Sequence, residues 1–225
     1  MFKLSVCIIV ICIFGNVFPS ENNCSSDFNV TSTNDPLELR QLYPYYVAGF
    51  DYDNLPVVVI ECGHWDHLFV AQNPERYEEK MKQFKIEFFG CLDSMSQLNY
   101  TSPEGEVSTA DQFGMILDFD GFSLKHVQTS ASATLMLSFW KGFKRFDNNV
   151  AYGFYINMNA VAENFVLLSK PLLSKAFGRS QLYGTRKQSW IPALHRKMPR
   201  SILQPLYGGE NKCYKEQFGC LLNGY

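Results

Sequence analysis

Two short stretches of this 225-residue chain hold residue types that do chemistry. The first, Cys62-Gly63-His64-Trp65-Asp66-His67, brings a thiol, two imidazoles and a carboxylate into six positions. A zinc site needs three or four such ligands converging on one point. His64 and His67 are three apart with no further ligand at a matching spacing, and His126 and His195 stand outside any motif. A Cys-His hydrolase needs a base that activates its thiol, and nothing in the sequence orients one on Cys62. Asp66 reads better as the cap of the following turn. The second stretch, Asp118-Phe119-Asp120-Gly121, closes an apolar run, where α/β proteins place their sites. Its two acids share a face only if the strand continues, and no basic partner or Gly-rich phosphate loop accompanies them. Turn formation is the reading they favour. The sequence predicts no enzyme, no metal site and no cofactor.

The elements that carry these stretches alternate. Val57-Val58-Val59-Ile60 is an unalternating β-branched run behind the turn Asp51 to Pro56. Such a run suits a strand buried on both faces of a parallel-type sheet. Asn73-Pro74-Glu75 has the form of a helix start, with a capping side chain, Pro at the first position and an acid in the first turn. Behind it Tyr77, Met81, Phe84, Phe88, Cys91, Met95 and Leu98 recur at steps of three and four, the stripe of a long amphipathic helix. A loop with Pro103, Gly105 and Ser108 leads to a second buried strand, Phe113 to Leu117. A helix over 129–146, a strand from Tyr152 to Met158, a helix from Asn159 to Phe177, a strand at Gln181-Leu182-Tyr183 and a helix from Ser189 to Lys197 complete the series. Strands alternating with helices predict an α/β fold with a largely parallel sheet.

The helix from Asn159 to Phe177 is apolar around most of its circumference, broken only by Glu163, Asn164, Ser169, Lys170 and Ser174. A helix on one face of a sheet needs a single stripe, so this one is either buried twice or faces lipid. Pro171 removes a backbone donor within it and predicts a kink or weak point. Two readings stand: a central buried helix, or a lid over an apolar cavity.

The remaining signals concern the ends and the composition. Met1-Phe2-Lys3 followed by an apolar run from Leu4 to Phe18 has signal-peptide length and is short for a membrane span. Residues 1–20 are therefore read as a signal peptide, with an uncleaved signal anchor as the alternative. Residues 21–38 form a polar leader, 39–210 the ordered domain, and 211–225 a tail in which Cys213 and Cys220 are spaced to close a small loop. Asn23, Asn29 and Asn99 begin N-glycosylation triplets. Secretion into an oxidising compartment is the expectation. Cys62 and Cys91, on a strand and a helix, read as inert buried thiols. A net charge of −2 gives no footprint of a nucleic-acid binder. With 19 Phe and 12 Tyr, aromatic residues suffice either to fill a core or to line a roomy cavity.

Several segments, in order, resemble one family. Pro44 to Asp51 with Leu55-Pro56-Val57 is similar to the first hairpin of CRAL-TRIO domains. Gly63-His64-Trp65-Asp66 resembles their Gly-x-Trp-Asp, and Leu117-Asp118-Phe119-Asp120-Gly121-Phe122-Ser123 their Ile-Asp-x-x-Gly-x-Ser. Phe154 to Ala160 resembles the Tyr-Ile-Ile-Asn-Ala-Pro strand, and Ser169-Lys170-Pro171-Leu172-Leu173 the Ile-Lys-Pro-Phe-Leu of the gate helix. Leu203 to Gly209 ends like Leu-Pro-x-x-Tyr-Gly-Gly, displaced as Leu203-Gln204-Pro205. The resemblance runs from about 43 to 210.

What it implies is a CRAL-TRIO-type α/β sandwich: a mostly parallel sheet floor, helical walls and a mobile apolar gate helix, here about Asn159 to Phe177. The implied partner is a small lipophilic ligand such as a retinoid or tocopherol, held by a monomer and exchanged during transient membrane contact through the gate. The pocket would be lined by Phe113, Met115, Leu117, Met136, Phe139, Trp140, Met158, Phe165, Leu168 and Leu172. Lys175, Arg179, Arg186 and Lys187 would touch anionic lipid, or form a solvated surface. The helical bundle that precedes the domain in many members is replaced here by the leader. The phosphoinositide-reading Glu, Thr and Lys of one branch fall on Asn149, Ala176 and Arg179, and its two choline-lipid hydroxyls on Phe113 and Met115. A buried phosphate without its partners costs several kcal/mol, so a less polar ligand is implied. The alternative is an interaction module of the same fold whose cavity is filled.

Overall fold

A computed structural model describes residues 36–97, 99–101, 107–172 and 175–212. In chain order the first elements are α1 (Pro36–Leu42), β1 (Tyr45–Phe50), β2 (Pro56–Ile60), α2 (His67–Gln72) and α3 (Pro74–Met95). Then come β3 (Asn99–Thr101), β4 (Val107–Thr109), β5 (Phe113–Asp118) and α4 (Ser130–Phe143). The last are β6 (Val150–Met158), α5 (Ala160–Ser169), α6 (Lys175–Gly178), β7 (Ser180–Gly184) and α7 (Lys187–Lys197).

The two apolar runs form the centre. Every residue of β2 and β5 is buried, and these strands pair in parallel within a sheet of order β1-β2-β5-β6-β7. Within this five-stranded sheet only the β1–β2 pair is antiparallel. The predicted α/β fold with a mostly parallel sheet is the fold observed. Side chains alternate along each strand, so the β-branched run serves two layers. Val58, Ile60, Met115, Leu117 and Tyr155 join one core with α1 to α5. Val57, Val59, Ile116, Phe154 and Ile156 join another with Trp190 and Leu194 of α7 and the C-terminal Leu203 and Tyr207.

The amphipathic stripe of α3 is buried as read, with Tyr77, Met81, Phe84, Phe88, Cys91 and Met95 facing inward; Leu98 lies outside the described residues. Its start differs from expectation. Asn73 precedes Pro74 but makes no cap bond, because its amide nitrogen donates instead to the Phe69 carbonyl at 2.8 Å, closing α2. Asp66 does cap α2, accepting from the Phe69 amide. Cys62 is a buried free thiol, whereas Cys91 is disulfide-bonded, which corrects its reading as a thiol. Cys213 and Cys220 lie outside the described residues. Part of the loop after α3 is a short ribbon, β3 against β4, with Asn99 opposite Thr109. No described helix is long and apolar enough to cross a membrane.

The largest departure is the apolar helix. It stops at Ser169, the chain turns through 170–172, and a separate short helix, α6, begins at Lys175. Pro171 has no amide hydrogen to continue the ladder; the Lys170 amide instead reaches back three residues to Leu167 O at 3.3 Å.

The loops after β2 and β5 interlock. A Cβ on Gly63 would sit 1.7 Å from the Asp120 carbonyl oxygen, and His126 Nε2 lies 3.0 Å from the Gly63 oxygen. Only hydrogen fits between the two backbones. Gly63→Ala is therefore expected to cost about 2 kcal/mol or more through forced separation of these loops, measured by urea denaturation.

Candidate ligand-binding site

The wall opposite β5 and β6 is α4, which enters through a reciprocal cap between Thr129 and Ser132. Its inward stripe is Met136, Phe139 and Trp140. Neighbouring rings lock onto it: Trp65 meets Phe139 at 4.8 Å between centroids, and Tyr43 stacks on Phe139 at 5.7 Å. The α5 helix closes the other side. Asn159 caps α5, accepting from the Val161 and Ala162 amides and donating to Phe122 O at 2.6 Å. Phe165 packs on Phe122 and Trp140.

Behind this wall, among the described residues, lie two small voids of about 20 and 10 Å³, each the size of one water molecule. The first is lined by Met115, Leu117, Trp140, Phe143, Val150, Tyr155, Ala176 and Phe177. The second is lined by Ile60, Cys62, Trp65, His67, Leu117, Met136, Phe139, Trp140 and Phe143. Leu117, Trp140 and Phe143 belong to both, so movement of these side chains would join the two. Among the described residues no charged side chain lines either void.

Of the residues expected to line a pocket, the structure brings Met115, Leu117, Met136, Phe139 and Trp140 to the voids. Phe113 is buried against Phe146 instead, and Met158 lines a shallow cleft with Leu167 and Leu182. Phe165 packs on the wall, and Leu172 is half-buried in the turn after α5. Leu168 is a correction: it is 83% exposed, with Leu167 at 57%. Ala162, Val166 and Ser169 form the inward stripe of α5, so Leu168 faces outward by helical geometry. The residues that sequence reasoning missed include Trp65, His67, Phe143, Tyr155 and Phe177. Trp65 and His67 lay in the first reactive-looking cluster, whose ligand-like composition drew attention from its packing.

That cluster does not assemble. His64 is exposed while His67 is 1% exposed within a ring of aromatics, so the two histidines part. Burial pushes the Cys62 thiol well above its usual range. No group of three His, Cys, Asp or Glu suited to a metal ion occurs among the described residues. Asp118 is buried and Asp120 exposed, and the Asp120 amide donates to Asp118 Oδ1. Asp118 also accepts from Asn157 Nδ2 and the Tyr207 hydroxyl, both at 2.8 Å. Burial lifts its carboxyl above the usual carboxylate range against the pull of these donors.

The cations after the gate divide. Lys175, Arg186 and Lys187 are exposed. Arg179 is exposed as well, and its guanidinium donates to the carbonyls of Val150, at the start of β6, and Asp147. An open groove of about 650 Å³ also runs outside the domain, floored by Val70, Tyr77 and Met81 and edged by Leu135, Lys82 and Lys85. Its width leaves an occupant largely in water, whereas small-ligand sites enclose most of theirs.

A family model for the CRAL/TRIO domain matches residues 40–209. Among solved structures, the crystal structure of Sfh5 superposes with a TM-score of 0.57 at 15% identity, over 84% of this chain and 63% of that one. The chain thus spans less than two thirds of that neighbour, and the likeness is one of fold. No curated protein matches the sequence.

His67 gives the site a measurable signature. Desolvation, with smaller contributions from His126 and Lys85, holds its imidazole down to about 3 from an ordinary 6.5. Between those values the unfolded chain takes up a proton that the folded chain refuses. Stability therefore falls as pH drops from 6.5 toward 3, with a slope of up to about 1.4 kcal/mol per pH unit from this group. Urea denaturation at pH 6 and pH 4 should show a shallower loss in His67→Phe than in the wild type. Equal losses would mean that the ring is not buried neutral.

Proposed function

The chain belongs to the CRAL/TRIO domain family, a family of small hydrophobic ligand binders, and from that premise we propose that it is a secreted, non-catalytic carrier of a neutral lipophile. The observation that carries this reading is the asymmetry of α5. Its inner stripe covers the aromatic interior while Leu167 and Leu168 stand in solvent. Exposed neighbouring leucines on a covering helix favour a membrane-meeting face. A small-ligand site encloses roughly 300–1,000 Å³, far above the two voids, so loading requires α5 to part from α4 and the shared side chains to move. Pro171 marks where the segment yields, and the Asn159 end stays pinned. The apolar lining favours a ligand without a charged headgroup.

Secretion and glycosylation belong to the proposal too, supported by the apolar run at 4–18 and the triplets at Asn23, Asn29 and Asn99. The carrier acts as a monomer and meets neither nucleic acid nor a cofactor. Absence of catalysis is supported by the inert, desolvated Cys62 and the dispersed cluster around it.

One observation favours a second reading, an interaction module of the same fold: among the described residues the two voids beside α4 are no larger than a water molecule. Organic extraction of protein from its own secretory host, followed by mass spectrometry, separates the two. The carrier reading expects a lipophile in stoichiometric amount; repeatedly empty protein that also takes up no fluorescent lipid selects the module. In vesicle-to-vesicle transfer of a fluorescent lipid, Leu167→Glu with Leu168→Glu is expected to slow transfer about tenfold. The melting temperature should stay unchanged, because both side chains are exposed.

A further inference from the structure

The two outer strands of the five-stranded sheet are treated differently. β1 carries a register shift between Val47 and Gly49, and Ile202 packs against Gly49. At the other edge β7 pairs in parallel with β6 and, among the described residues, with no further strand. Its sequence, Ser-Gln-Leu-Tyr-Gly, holds neither proline nor charge, two of the devices that blunt a sheet edge. Half of its amides and carbonyls point away from β6. Gln181, Leu182 and every residue from Gly184 to Ser189 are exposed. Two features frame this edge. A cleft of about 150 Å³ opens beside it, lined by Met158, Glu163, Leu167, Leu182, Tyr183 and Gly184. Exposed cations stand at both ends, Arg179 before the strand and Arg186 with Lys187 after it. Among the described residues Arg186 and Lys187 make no ion pair.

We propose that β7 is a docking edge for an extended acidic peptide of another protein, which adds a strand to the sheet. Main-chain hydrogen bonds supply the affinity of such an addition, and alternate side chains its specificity. A peptide residue opposite Leu182 turns its side chain to the cleft and is apolar, because Glu163 on the rim repels an acid there. The positions opposite Arg179 and Thr185 lie three residues to either side. An acid at each meets Arg179 at one end and Arg186 with Lys187 at the other. The pattern acid-x-x-apolar-x-x-acid reads the same in both directions, so it holds for a parallel or an antiparallel strand. A second copy of this chain is the poorer occupant. Pairing two β7 strands antiparallel about Leu182 sets Arg179 of each copy beside Thr185 and Arg186 of the other, like charge near like. The edge lies outside the two voids, and the inference does not depend on the carrier reading.

The test uses the full-length protein and a fluorescein-labelled, amidated nonapeptide, Ser-Asp-Thr-Val-Leu-Val-Thr-Asp-Ser, followed by anisotropy. It is expected to bind about tenfold more tightly than the same peptide with Lys in place of both Asp. N-methylation of one alternate set of its amides should abolish binding, whereas methylation of the other set, which faces water, is tolerated. Arg186→Glu with Lys187→Glu should reverse the preference between the two peptides. The melting temperature should stay unchanged, because both side chains are exposed. Amide hydrogen exchange across Ser180–Gly184 should slow when the acidic peptide is added. An acidic peptide that does not bind, that binds equally after either methylation, or whose preference survives the charge reversal overturns the inference. Phosphatidylserine vesicles that bind through Arg186 and Lys187 while the peptide does not would assign the surface to lipid, which overturns it as well.

Discussion

The buried carboxylate of Asp118 is the tie on which the arrangement depends. It closes β5, and its oxygens accept from Asn157 on β6, from the Asp120 amide in the following loop and from Tyr207 near the C-terminus. A buried carboxylate is costly unless its lone pairs are used, and here three donors from three chain segments use them. The consequences spread outward. Asn157 holds a positive φ of 56°, tolerable for Asn, and delivers the chain to Asn159, which caps α5. The loop held by Asp120 lies against Gly63, and His126 is bound to the Gly63 carbonyl. The N-terminal end of α5 is thereby fixed to the sheet.

This tie explains why short motifs scattered along the sequence carried so much information. Gly63, Asp118, Asn157 and Tyr207 are far apart in the chain, yet each was part of a segment that resembled one family, and the structure brings them into one connected cluster. The strands and α3 were legible because burial writes itself into sequence as runs and periods. What was not legible depended on partners that no local pattern specifies. The Asn73 amide found the Phe69 carbonyl before the amides of its own helix. Arg179 reads as a surface cation and is exposed, but its bonds to the carbonyls of Val150 and Asp147 follow only from the fold.

The apolar helix shows the same limit more sharply. Composition said only that its greasy residues exceeded one stripe. The division into an inner face of Ala162 and Val166 and an outer face of Leu167 and Leu168 depends on the rotation that Asn159 sets at the cap. The end at Ser169 was half legible: Pro171 announced a weak point, and the separation into α5 and α6 required the turn that follows.

The close packing around the two voids bears on ligand choice. Phe, Met and Trp fill the space where a ligand would lie, and ring contacts of this kind contribute about 0.5–1.5 kcal/mol each beyond area burial. A ligand entering here does not occupy a ready void; it exchanges its own contacts for those of Leu117, Trp140 and Phe143. Such an exchange approaches balance only if the newcomer is as apolar and as well packed as the side chains it displaces. The apolar body therefore supplies little discrimination, since many lipophiles meet that condition. Selectivity then falls to the few polar side chains on these walls, among them Trp65, His67 and Tyr155.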